Sequence, residues 1–188
     1  MRNALAYLGE ESEITADVEK IQSASHVILP GVGSFVDGMR NLEERGLVSV
    51  LQGIARSGKP LLGICLGMQL LADTGDEGGG AAGLGIIPGV ARRLTGGADY
   101  RLPHIGWNDV APKEGARLFA GIKAPVFYFV HSFVLAPQEE RATAGTTEYG
   151  ETFTSAIEEG LVFGVQFHPE KSQHAGLTLL ENFLKIRS

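Results

Sequence analysis

The sequence predicts an α/β fold in three layers: a mostly parallel sheet with helices on both faces, continuing into an antiparallel section. Three observations predict it. Two continuous apolar runs, residues 26–30 and 60–64, each close on a glycine turn, the pattern of strands buried on both faces. Between them, residues 34–42 and 47–56 repeat apolar side chains at helical spacing. From residue 86 to 165 the pattern changes to short β-type runs, as hairpins require.

Taken in order, residues 1–9 read as the last turns of an amphipathic helix, with Leu5 and Leu8 on one face and Gly9 as its stop. Residues 12–15 fit a short strand, and 17–21 a short helix with Asp17 at its start. The strand at 26–30 ends in the turn Gly31-Val32-Gly33. Gly46 separates the next two helices and Gly58 ends the second. After the strand at 60–64, Cys65-Leu66-Gly67 turns the chain and residues 68–72 begin a helix. Residues 76–85 hold too much glycine for a packed element and form a loop. The antiparallel section is expected at 90–94, 126–130, 142–147, 155–157 and 161–165. Residues 173–186 close the chain as a helix with Leu177, Leu180 and Leu184 on one stripe. No repeat or long linker divides the sequence, so residues 1–188 are expected to form one domain.

Composition narrows the function. Lys plus Arg is 16 against 22 for Asp plus Glu, a formal charge of −6, which opposes a nucleic-acid partner. One cysteine excludes an intramolecular disulfide framework and a zinc site built from Cys, and no metal site is expected. No apolar run reaches the ~18 residues of a membrane span, and the N-terminus lacks a signal peptide's apolar stretch. A cytoplasmic protein without a membrane partner is the expectation.

The chemistry centres on Gly63-Ile64-Cys65-Leu66-Gly67, read as strand, G-x-C-x-G turn and helix. A tight turn forces the Cys65 side chain outward, and flanking glycines remove Cβ clashes with the returning backbone. A helix starting there offers free N–H groups and a positive dipole end, which favour a thiolate. The Leu66 amide stands where it can donate to an oxyanion. The competing reading is a buried, inert thiol. A nucleophile needs a base and the base an orienting group. His168-Pro169-Glu170 follows an apolar run and supplies both, giving Cys65, His168 and Glu170 as a candidate triad; a structural His–Glu pair is the alternative. Pro30-Gly31-Val32-Gly33 lacks the lysine of a P-loop and the spacing of a dinucleotide fingerprint. Its glycines suit either a second oxyanion amide or an ordinary turn.

Gly63-Ile64-Cys65-Leu66-Gly67-Met68-Gln69 and Phe167-His168-Pro169-Glu170 resemble the triad (class I) glutamine amidotransferases. Within them, Pro30-Gly31-Val32-Gly33-Ser34-Phe35, Pro103-His104-Ile105-Gly106-Trp107-Asn108, Tyr128-Phe129-Val130-His131-Ser132 and Lys171-Ser172 resemble the glutaminase subunits of imidazole glycerol phosphate synthase. The resemblance implies a flavodoxin-like amidotransferase fold and no cofactor. It implies that Cys65 forms a glutamyl thioester, with His168 moving protons and Glu170 orienting it. The Leu66 amide and an amide of Gly31, Val32 or Gly33 would hold the oxyanion, and Gln69, His131 and Ser132 would bind L-glutamine. The implied partner is the (β/α)8-barrel cyclase subunit HisF, which receives ammonia for histidine biosynthesis. Pro103, Trp107, Asn108, Tyr128 and Lys171 match positions that line or gate that interface. Trp107 otherwise reads as a core plug, and Lys171 as a solvated charge.

Family members usually begin with a short apolar strand and an Asp-Tyr-Gly-x-Gly-Asn-like turn, neither of which is present here. The expected sheet therefore lacks the family's first strand, and the expected domain is N-terminally shortened. The rival readings are a glutaminase subunit of the anthranilate or aminodeoxychorismate synthase type, and a non-catalytic binding module on the same fold.

Overall fold

A computed structural model of the chain describes residues 1–97 and 100–187. Helix α1 (Arg2–Tyr7) ends just before Gly9, which takes φ 82°. Helix α2 (Val18–Ser23) starts at Asp17, whose carboxylate accepts from the amides of Glu19 and Lys20. Strand β1 (Val27–Gly31) leads through the glycine turn into α3 (Phe35–Glu44), which buries Phe35, Met39 and Leu42 at helical spacing. Helix α4 (Val48–Arg56) buries Val50, Leu51 and Ile54. Strand β2 (Leu61–Cys65) is buried along its whole length and runs directly into α5 (Leu66–Gln69).

Beyond α5 come β3 (Ala72–Gly75), β4 (Ala81–Ala82), β5 (Ile87–Arg93), β6 (His104–Asp109), β7 (Ala111–Pro112) and β8 (Val126–His131). The chain finishes with β9 (Phe133–Pro137), β10 (Thr143–Glu148), β11 (Thr152–Glu159), β12 (Val162–Val165) and α6 (Gln173–Lys185). The main sheet has the order β1-β2-β12-β11-β10-β7. Its first three strands are parallel, with Gly31 opposite Cys65 and Val165 opposite Ile64. The other three are antiparallel, so the antiparallel section takes half of this sheet. A second sheet, β4-β3-β5-β9, and a two-stranded ribbon, β6-β8, flank it.

The three layers follow from alternation along β2. Leu61 points into a core shared with α3 and α4, while Leu62 and Ile64 point into one shared with α6 and the start of the chain. The C-terminal ends of β1, β2 and β12 lie side by side, at the end of the sheet where open α/β sheets bind ligands.

Four expectations change. Residues 12–15 run without strand pairing. The helix expected at 68–72 is a single turn, because the carbonyls of Leu70, Leu71 and Ala72 accept from the amides of Leu84, Ile86, Ile87 and Gly85. Those carbonyls are the ones a continuing helix would need. On α6 the buried face is Gly176, Leu179, Leu180 and Phe183, with Leu177 and Leu184 half-buried. A Cβ at Gly176 would stand 1.9 Å from the Pro169 carbonyl oxygen, so the helix seats its glycine there and turns its stripe accordingly. Strands β3, β4, β6, β7 and β9 were not expected; β4 lies within the 76–85 stretch read as a loop, where Ala81 and Ala82 pair with β3, and β6 is masked in sequence by Gly106, which sits at φ 138°.

Candidate active site

The turn between β2 and α5 is held by close backbone approach. A Cβ at Gly67 would meet the Leu29 oxygen at 1.8 Å, and one at Gly63 would meet the Gly67 oxygen at 2.7 Å. A Cβ at Gly31 would meet the Gly67 nitrogen at 2.9 Å. Glycine at these positions lets β1 and β2 end against the elbow, and Cys65 is left at φ 54°, ψ −113°. That conformation is costly for a residue with a side chain and holds only where its surroundings impose it. Leu66, whose amide opens α5, and the turn Gly31-Val32-Gly33 lie beside it. Val32 is 81% exposed and Gly33 takes φ 101°.

Strand β12 ends at Val165, and the chain continues to His168 at the same end of the sheet. His168 is buried, and its Nδ1 lies 3.0 Å from Glu170 Oε1. Its Nε2 has no partner of hydrogen-bond geometry among the described residues, but Cys65 is close enough to act on it. Burial alone would lower the His168 pKa; the proximity of Cys65 and the hydrogen bond and charge of Glu170 outweigh it and push it up to about 9. Glu170 is raised by burial, yet the His168 hydrogen bond and charge bring it below its ordinary value. The three residues form one coupled acid–base unit.

Strand β8 braces this unit. The amide of His168 donates to the Tyr128 carbonyl at 2.9 Å, and the Tyr128 amide donates to Ser172 Oγ at 3.0 Å. Ser172 in turn donates to the His168 carbonyl at 2.6 Å. Two positions along β8, the Val130 carbonyl stands 3.9 Å from Cys65 Sγ.

Gln69 is buried behind the elbow. Its Nε2 donates to the Phe133 carbonyl at 2.8 Å and to Gln166 Oε1 at 3.0 Å. Both hydrogens are thus committed, and its Oε1 is the part left to accept from a ligand. The Phe133 carbonyl also accepts from His131 Nδ1 at 3.0 Å, so His131 Nε2 is an acceptor. That nitrogen lies 3.1 Å from His104 Nδ1, which must donate, leaving His104 Nε2 to accept from the Asn108 amide at 3.3 Å. Burial depresses both imidazoles, His104 to about 4 and His131 to about 3, and the neighbouring histidines depress His131 further. Ser132 is half-buried, and its carbonyl accepts from the Leu94 amide at 2.9 Å.

Of the residues matched to an interface, Trp107 and Tyr128 lie opposite one another on the ribbon, with ring centroids 6.0 Å apart. Lys171 Nζ stands 5.6 Å from the Tyr128 ring centroid. Trp107 is 48% exposed and Ile105 on the same face 58%, so Trp107 is no core plug. Pro103 is exposed at the entrance to β6. Asn108 alternates to the other face, where its amide also donates to the Glu148 carbonyl at 3.0 Å.

Three residues near the site escaped the sequence reading. Gln166 is fully buried, with Nε2 3.6 Å from Cys65 Sγ. Gln166 lies one residue past the end of β12, on the short connection that leads to His168. His104 joins His131 as described, a contact that no spacing reveals. Glu77, within the glycine-rich segment, accepts through Oε2 from the Phe35 amide at 2.6 Å and so ties that segment to the first turn of α3.

Comparison with known proteins places the chain in a family. Residues 3–186 match the family model for glutamine amidotransferase class-I. A subunit HisH of imidazole glycerol phosphate synthase from Moorella thermoacetica is 51% identical over 185 residues, covering 97% of this chain and 87% of the relative. The HisH subunit from Streptococcus gordonii is 48% identical over 180 residues, 96% of this chain and 86% of its own. Among solved structures, a glutamine amidotransferase superposes with a TM-score of 0.75 at 21% identity, covering 98% of this chain and 90% of that one. The structure of PurLQS from Thermotoga maritima gives a TM-score of 0.72 at 20% identity, over 97% and 89%. The last two speak for the fold alone.

Proposed function

The chain belongs to the class-I glutamine amidotransferases, and from that premise we propose that it is the glutaminase subunit of an imidazole glycerol phosphate synthase in histidine biosynthesis. One observation carries the reading: the only cysteine sits on a strained elbow beside a buried histidine whose far nitrogen is 3.0 Å from a carboxylate. Cys65 Sγ attacks the side-chain amide carbon of L-glutamine. The carbonyl oxygen gains charge, which the Leu66 amide and an amide of the segment Gly31-Val32-Gly33 receive. His168, held protonated by Cys65 and Glu170, gives its proton to the departing nitrogen, so ammonia leaves and a glutamyl thioester remains. Water then attacks the thioester, His168 Nε2 takes its proton, and the sulfur departs from glutamate.

The Gln69 Oε1 acceptor and the His131-Ser132 segment bind the amino-acid end of glutamine. Ammonia passes to a cyclase subunit, the (β/α)8-barrel HisF, which uses it to make imidazole glycerol phosphate and an aminoimidazole-carboxamide ribotide. Trp107, Tyr128 and Lys171, with Pro103 at the edge, form the face that meets HisF; Asn108 supports it from behind. Glutamine hydrolysis in the presence of HisF and its nucleotide tests the reading. Cys65→Ala is expected to lower the rate by about 1000-fold or more. A wild type no faster than Cys65→Ala under those conditions overturns it.

A further inference from the structure

Gln166 has no assigned task, yet it occupies a position where an apolar side chain would be the cheaper occupant. Its amide has a single orientation. Oε1 accepts from Gln69 Nε2 at 3.0 Å, so Nε2 faces Cys65 Sγ at 3.6 Å. Flipping the amide would set nitrogen against nitrogen and oxygen against sulfur. An N–H aimed at sulfur favours thiolate over thiol. Gln69 is fixed in turn by the Phe133 carbonyl, which it shares with His131. Beyond it, His131 accepts from His104, and His104 accepts from Asn108 behind the exposed β6-β8 face. His104 cannot rotate freely, since it is stacked on Phe129 at 4.8 Å and on Tyr149 at 3.9 Å between ring centroids.

We propose that Gln166 is a further catalytic residue, its amide donating to the Cys65 sulfur, and that a hydrogen-bond network, in which Gln69 and His131 both donate to the Phe133 carbonyl and His104 donates to His131, holds it there. The proposal deepens the glutaminase reading and rests on Cys65 as the nucleophile. Every link has a fixed direction, because each end is a group that can only accept or only donate once both imidazoles are neutral. His104 touches neither sulfur nor substrate and acts as a positioning residue; His131, part of the glutamine-binding segment, bears on the sulfur only through the Phe133 carbonyl, Gln69 and Gln166. Such a network loses its order if one member is removed.

With one cysteine in the chain, alkylation by iodoacetamide reports Cys65 alone and needs no partner. Gln166→Met keeps the shape and removes the donor. At pH 7 its alkylation is expected to slow about 10-fold, and kcat for glutamine hydrolysis with HisF to fall about 10- to 100-fold with KM within about 3-fold. Gln166→Asn, polar but too short to reach the sulfur, gives the same readout if the methionine variant does not fold. Wild-type alkylation rates in the folded variant overturn the role of Gln166. His104→Phe, which preserves the stack, is expected to slow alkylation about 3-fold, and His104→Gln, which can both donate and accept, to restore it. Equal rates in His104→Phe and wild type overturn the network. Cys65-dependent hydrolysis alongside unchanged alkylation sinks this inference only, whereas hydrolysis independent of Cys65 sinks the functional reading as well.

Discussion

Cys65 is held at a positive φ that few side chains tolerate, and the two histidine environments near it are tuned in opposite directions. His168 is pushed up to about 9 by Cys65 and Glu170 beside it, while His104 and His131 are kept neutral by burial. The neutral pair has a consequence for stability. Folded, the two imidazoles take up protons only near pH 4 and pH 3, whereas in the unfolded chain they do so near 6.5. Between those values the unfolded chain binds more protons, so the pair's contribution is complete above pH 6.5 and lost as pH falls toward 4 and 3. Unfolding free energies from urea titrations are expected to fall between pH 7 and pH 4.5, by on the order of 5 kcal/mol, and to fall less steeply in His104→Phe. Parallel losses in the two proteins would contradict this.

At the scale of elements, the elbow depends on two strands ending against one turn. Gly67→Ala would drive a methyl to 1.8 Å from the Leu29 oxygen, and backbone cannot yield as a side-chain tip can. A loss of more than about 3 kcal/mol in urea unfolding is expected, together with loss of glutaminase activity. Retention of near-wild-type stability would mean that β1 and α5 separate more easily than their packing suggests. The elbow was legible because G-x-C-x-G states a local geometry, and His168-Pro169-Glu170 likewise. The His104–His131 contact was not legible, because it joins strands whose pairing depends on register across 27 positions. Helix α5 was misread for a related reason: segment 84–87 takes its carbonyls, a competition invisible to local periodicity.

Across the whole molecule, one end of the sheet carries the chemistry and the adjoining ribbon carries exposed aromatic surface. The same strand, β8, presents Tyr128 outward, braces His168 through its backbone and lends the Val130 carbonyl to Cys65. A partner seated on Trp107 and Tyr128 therefore bears on the strand that supports the base. Trp107→Ala is expected to weaken HisF binding about 10-fold or more, measured by titration calorimetry, with the circular dichroism spectrum unchanged. Unaltered affinity would move the interface elsewhere.

The contact between Glu77 and the Phe35 amide gives the glycine-rich segment a meaning beyond connection. Gly78, Gly79 and Gly80 all hold positive φ, so ordering them forfeits more backbone freedom than any other tripeptide would. That entropic debit is set against one carboxylate latch on the amide that follows the turn at residues 31–33. Hydrogen exchange at Phe35 thus reports the melting of the segment rather than of helix α3. One hydrogen bond thus ties the first turn of α3, next to the turn at residues 31–33, to a stretch of chain more than 40 residues away in sequence.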